Sequence, residues 1–171
     1  GQGRKFAAQM ERVVGELKRM VPRILSDGAM GHQRTSLLAD AHAKAQELTR
    51  RASQAAAKLG LRLEETEETL QVIPLIGGEP IERDAYERLP AGRRRKIEAA
   101  MMAYQEHLDA YAYRRRQLDM AHQDRMQAAE VRAITPLVKE LLGALSRRAK
   151  RINADLVEWL NEVQAHVLAN H

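Results

Sequence analysis

Residues 70–98 read LQVIPLIGGEPIERDAYERLPAGRRRKIE. This is the one stretch that interrupts a chain otherwise patterned as long helices. Leu70 and Val72 alternate with Gln71, and Ile73 and Leu75 follow, which is the two-residue period of a strand. Just upstream, Leu61 and Leu63 alternate with Arg62 and Glu64. The two runs flank Thr66-Glu67-Glu68-Thr69 and predict a β-hairpin over 61–75, although no Asn-Gly or Asp-Gly pair is present to set its register. Gly77-Gly78-Glu79-Pro80 then reads as a turn. Residues 82–88 read as a short helix carrying Tyr86, followed by Leu89. Pro90 opens a long helix at its first turn, where a missing amide donor costs nothing. Two strands alone are marginal in water, so the hairpin must lean on a helix.

Helical patterning surrounds this block. Phe6, Met10, Val13, Leu17, Met20 and Ile24 recur at spacings of 4, 3, 4, 3 and 4, an apolar stripe on one face. Pro22 lies inside the stripe and predicts a kink or break near Met20, with Ser26-Asp27-Gly28 as a stop. A second helix is expected from about Met30 to Leu59, its seam formed by Leu38, Ala41, Ala45, Leu48, Ala52, Ala55 and Leu59. Its thirty residues span ~45 Å, and Gly60 is placed to terminate it. Alanines along the seam admit a close partner. Beyond Pro90 the stripe is Ile97, Met101, Tyr104, Leu108, Tyr111, Arg115 and Leu118, on a helix expected to reach about Ile134, or ~65 Å. Thr135-Pro136 reads as a cap and restart, with Leu137, Leu141, Leu142 and Leu145 on one face. A last helix is expected from about Ala154, with Leu156, Leu160, Val163 and Val167 as its stripe and Trp159 flanking it as a packing anchor. The two longest helices are expected to pair antiparallel.

Composition fits this reading. Hydrophobic residues make up 44% of the 171, but aromatics only 4%, while charged residues reach 30%. Alanine-rich stripes and solvated faces follow, rather than a thick globular core. The absence of cysteine excludes a disulfide framework, thiolate zinc sites and thiol catalysis. No run of 18 apolar residues exists, so no segment has the length of a membrane span. Gly1-Gln2-Gly3-Arg4-Lys5 lacks the apolar core of a signal peptide and a starting methionine, which reads as a fragment of a longer protein. A net charge of +5 is spread with acids among the bases on every long segment, as on solvated helix faces.

No catalytic, cofactor-binding or metal-ligating residue is assigned. There is no Gly-x-x-x-x-Gly-Lys-Ser/Thr loop for a nucleotide phosphate. Ser146 and Lys150 are four apart on a helix, the spacing of a possible nucleophile and base, but lie among arginines with no glycine loop to stabilise an oxyanion. The histidines (His32, His42, His107, His122, His166 and His171) show no i, i+4 pairing. Glu64, Glu65, Glu67 and Glu68 lack the alternating ligands of a calcium loop and read as a charged hairpin tip that discourages edge pairing. Arg93-Arg94-Arg95-Lys96, Arg114-Arg115-Arg116, and Arg147-Arg148 with Lys150-Arg151 are basic clusters. Three consecutive residues fan over ~200° of a helix, which argues against a flat phosphate-binding face. Tyr104 and Tyr111 fall on the seam and are expected in the core.

Taken in order, these blocks resemble one family. Gly1-Gln2-Gly3-Arg4-Lys5-Phe6 leads into Met10, Val13 and Leu17, and a long helix ends near Ala57-Lys58-Leu59-Gly60. There follow Leu63, Thr66, Val72-Ile73-Pro74-Leu75, Gly78-Glu79-Pro80-Ile81, Tyr86-Glu87-Arg88-Leu89-Pro90 and Arg95-Lys96-Ile97-Glu98. Asp155-Leu156-Val157-Glu158-Trp159-Leu160-Asn161-Glu162-Val163-Gln164 fits at the end. The whole resembles the helical, coiled-coil insertion region of the bacterial Lon-like AAA+ proteases. The specific part is the Pro-Leu, Gly-x-Pro-Ile and Leu-Pro block.

The resemblance implies a mainly α protein: a helical base over 1–29, a coiled-coil arm over 30–134 with the hairpin (61–75) and short helix (82–88), and a C-terminal helical base over 135–171. It implies a cytoplasmic parent that assembles as a homo-oligomeric ring, usually a hexamer, with an ATP- and Mg-binding ATPase domain and a Ser–Lys peptidase domain outside this chain. The chain itself is then non-catalytic and engages or gates protein substrates for the ring. An alternative reading is a free-standing coiled-coil interaction module that dimerises through the Leu38–Leu59 seam; a third is a nucleic-acid binder.

Overall fold

The computed structural model describes the backbone of residues 1–171 and every side chain except that of Gln2. The described residues form α1 (Gln2–Leu25), α2 (Gly28–Lys58), β1 (Leu61–Glu65), β2 (Leu70–Ile76), β3 (Glu79–Pro80), α3 (Arg83–Glu87), α4 (Ala91–Ala149) and α5 (Ala154–Ala169). The protein is mainly α with a small antiparallel sheet, as the patterning predicts. The chain divides into two compact units, one comprising Gly1–Leu38 with His122–His171 and the other Ala39–Ala121.

In the first unit the α1 stripe is used as its spacing dictates. Phe6 and Leu17 are buried against Val138, Leu142, Leu145 and Ala149 of α4 and Leu160 of α5, with Met10, Val13, Leu156 and Val163 packed around them. Two predicted breaks do not occur. α1 continues through Pro22 to Leu25. The lost donor falls in the final turn, on the exposed side, and the Pro22 carbonyl still accepts from the Ser26 amide at 3.0 Å. Nor does α4 restart at Thr135-Pro136; it runs unbroken from Ala91 to Ala149. A proline in a helix interior costs ~3 kcal/mol. Against that, Ile134 and Val138 are fully buried and Leu142 nearly so, each contributing roughly 1.5–3 kcal/mol. Pro136 itself faces solvent, and the Thr135 hydroxyl donates to the Val131 carbonyl at 2.5 Å.

In the second unit α2 and α4 run antiparallel: Tyr111 meets Thr49, and Tyr104 meets the Ala52 carbonyl. Ala56, Leu61 and Tyr104 form the buried centre, with Ala55, Leu63, Val72, Ala100 and Leu108 packed on it. The alanine seam of α2 is therefore occupied by α4 of the same chain. One end of that seam is misassigned by spacing. Leu38 is 61% exposed, while Leu37 is half-buried. Counting back from Ala41, the buried face passes through Leu37, Arg34 and Met30, and the arginine disguises the register. Leu59 is also exposed, just before Gly60 ends the helix region with φ +70°.

The hairpin forms as predicted, β1 pairing antiparallel with β2 from Leu61↔Pro74 to Glu65↔Leu70. Residues 77–80, expected as a turn only, add a short strand. Gly77 and Gly78 take φ values of +59° and +82°, the pair of left-handed residues that a tight two-residue hairpin demands. Glu79 and Pro80 return beside Ile76 and Leu75. The sheet has three strands in the order β1-β2-β3.

Candidate functional site

An apolar recess of about 700 Å³ lies in the second unit, lined by Pro74, Ile81, Tyr86, Ile97, Met101 and Met102, with Arg83 and Glu98 at its rim. Each wall follows from local chemistry. The Gly77-Gly78 turn sends the chain back along β2, and the Ile81 amide donates to the Pro74 carbonyl at 3.2 Å. α3 then places Tyr86 over α4, where its hydroxyl donates to Glu98 Oε1 at 3.2 Å. The Pro90 carbonyl accepts from the Arg93 and Arg94 amides at 3.0 and 3.1 Å, so Pro90 caps α4 and sets the start of the face carrying Ile97 and Met101. Partial burial, then the Glu98 carboxylate, push the Tyr86 phenol up. Met102 is 78% exposed. A flexible thioether at an open apolar wall can repack against side chains of many shapes.

The tip end of the hairpin is tied down by a polar knot. The Tyr111 hydroxyl donates to Glu65 Oε2 at 2.7 Å and lies 3.0 Å from the Thr49 hydroxyl. Arg115 Nη1 approaches the same Glu65 oxygen at 3.7 Å. Glu65 is thus partnered by Tyr111 and Arg115, although it stays exposed together with Glu64, Glu67 and Glu68. The tip is closed by its threonines: the Thr66 amide donates to the Thr69 carbonyl at 2.8 Å, and the Thr69 amide to Thr66 Oγ1 at 3.0 Å. Tyr104 and Tyr111 are in the core, as their seam positions predict, at 1% and 3% exposure. Burial raises both phenols, and Glu65 adds to the shift at Tyr111.

In the first unit, Arg34 donates to the Leu25 carbonyl at 2.7 Å and to Glu130 Oε1 at 3.2 Å, and His171 Nε2 lies 3.0 Å from Glu130 Oε2. His171, then Arg34, hold the Glu130 carboxyl below its ordinary range. This links α2, α4 and the end of α5, and nothing in the sequence spacing announces it. Trp159, 44% exposed, borders a second apolar recess with Phe6, Met10, Val14 and Leu156.

Ser146 and Lys150 make a backbone contact only, Lys150 N to Ser146 O at 3.0 Å. Among the described residues no three His, Asp or Glu side chains gather as metal ligands, and no helix is long and apolar enough to cross a membrane. His107 stacks on Tyr104 with ring centres 5.9 Å apart. The basic clusters at 93–96 and 114–116 belong to the second unit and that at 147–151 to the first. No protein-family model, curated protein or solved structure matches the chain.

Proposed function

We propose that this chain is a non-catalytic helical region of a Lon-like ATP-dependent serine protease, and that its second unit engages unfolded protein segments for the parent assembly. One observation carries the reading. The recess is built by the same block that distinguishes this sequence from a generic coiled coil: Pro74, Ile81, Tyr86 and the helix start beyond Pro90. Heptad stripes suffice to pair two helices; they do not require a glycine turn, a third strand and a short helix to hold an apolar wall open. Unfolded chains expose the apolar side chains such a wall accepts. An open methionine-lined surface binds them weakly and adaptably, which suits handing a segment onward. ATP with Mg, the hexameric ring, the Ser–Lys peptidase and the cytoplasmic setting belong to the proposed parent, not to residues of this chain.

The test is Met101→Asp with Met102→Asp in the parent assembly, comparing degradation of an unfolded protein with cleavage of a short peptide. A carboxylate at an apolar wall removes binding of order 1.4 kcal/mol or more, so unfolded-protein degradation should fall about tenfold while peptide cleavage is unchanged. Equal loss for both substrates, or loss for neither, rejects the reading.

A further inference from the structure

Arg147, Arg148 and Arg151 line one recess of about 450 Å³ with Ala144 and Ile152, in the first unit. The volume falls within the range of small-molecule sites. The recess forms where α4 ends at Ala149 and the chain turns toward α5. Positions 147, 148 and 151 fall within ~100° of one another around a helix, so these three converge where the consecutive triplets at 93–95 and 114–116 fan apart. The turn keeps the helical path long enough to hold Arg151 in place: its amide donates to the Arg148 carbonyl at 3.1 Å, and the Ile152 amide to Ala149 at 2.8 Å. The helix beneath is anchored by packing, with Leu142, Leu145 and Ala149 buried in the core.

Among the described residues none of the three guanidiniums makes a hydrogen bond or ion pair, whereas Arg34, Arg50, Arg51 and Arg115 each face a carboxylate. The carbonyls at a helix C-terminus favour nearby cations, which accounts for basic residues here but supplies only partial charge against three converging ones. Planar guanidinium forks match oxyanions two hydrogen bonds at a time. We propose that this recess binds a small phosphate-class anion, a phosphate or diphosphate group, between Arg147, Arg148 and Arg151. The site is independent of the recess in the second unit, and either can fail without the other.

The experiment is calorimetric titration of the whole 171-residue chain with inorganic pyrophosphate at constant ionic strength. One saturable site per chain is expected. Arg148→Gln and Arg151→Gln should each weaken it about tenfold or more, and Arg148→Lys, which keeps the charge and loses the fork, should fall between. Arg114→Gln, in the other unit, should change nothing. Ala144→Glu places a carboxylate four residues before Arg148 and should abolish binding, and with it the rise in thermal midpoint that pyrophosphate confers on the unaltered chain; circular dichroism verifies that each variant is folded. Non-saturable binding, equal weakening by Arg114→Gln, or binding of a single-stranded oligonucleotide without pyrophosphate binding overturns the proposal.

Discussion

Tyr104 and Tyr111 sit one heptad apart on α4, and each buries a hydroxyl along with its ring. Their partners differ. Tyr104 donates to the Ala52 carbonyl at 2.8 Å, a group within α2, while Tyr111 donates to the carboxylate of Glu65. Hydrogen bonds to charged groups contribute about twice as much as neutral ones. Tyr104→Phe should therefore cost about 1 kcal/mol and Tyr111→Phe about 2 kcal/mol, read from urea midpoints; the reverse order would show that the knot is not what holds β1 to α4. Glu130 gives a pH signature. Its carboxyl is lowered in the folded state by His171 and Arg34, so as pH falls the unfolded chain, titrating in the ordinary carboxylate range, binds the proton first. The associated stability is complete above that range and is lost as pH falls through the lowered folded value. Glu130→Gln should flatten this part of a pH–stability profile measured from pH 7 downward. Glu47 is held down to about 2 by hydrogen bonds from Arg50 and Arg51, but on an exposed face, where such pairs add little.

At the scale of elements, burial outvoted a local signal at Pro136 and at Leu38. Pro136 has the neighbours of a helix start, with Thr135 as cap and an apolar run after it, yet Ile134 and Val138 on either side are fully buried and keep the helix in one piece. Pro136→Ala should therefore stabilise the protein, by up to ~3 kcal/mol, because it restores an amide donor at a solvent-facing position without removing a packed side chain. An unchanged or lowered thermal midpoint would mean that the proline is packed. Leu38 shows the converse. Its spacing to Ala41 is acceptable to a heptad, but Leu37 has the same claim, and only the partner helix decides between them. The third strand was hidden because two residues carry no period, although the Gly77-Gly78 pair was a hairpin signal in its own right.

At the scale of the molecule, the chain has two cores rather than one. The first centres on Leu17, Val138, Leu142 and Leu160 and the second on Ala56, Leu61 and Tyr104. Leu142→Ala should cost about 2–5 kcal/mol through the cavity it leaves and should show first as loss of amide protection in α1 and α5. Leu61→Ala should show first in β1 and β2. Hydrogen exchange separates these outcomes, and a uniform loss across both units in either variant would mean that the two cores open together. Each unit also carries its own candidate surface: the second an apolar recess built from the 74–102 block, the first a basic one at the end of α4.

The helical class, the α1 stripe, the hairpin at 61–75, Gly60 as a helix end and the burial of Tyr104 and Tyr111 were legible in the residue pattern alone, because periodicity and turn chemistry are properties of neighbours along the chain. Spacing along the chain could not reveal that Glu65 meets Tyr111 and Arg115, that Arg34, Glu130 and His171 meet, or that Arg147, Arg148 and Arg151 surround one recess while equally basic triplets disperse. Those contacts join residues by their direction around a helix and by what faces them across a core, and direction in space is set only when the apolar faces have packed.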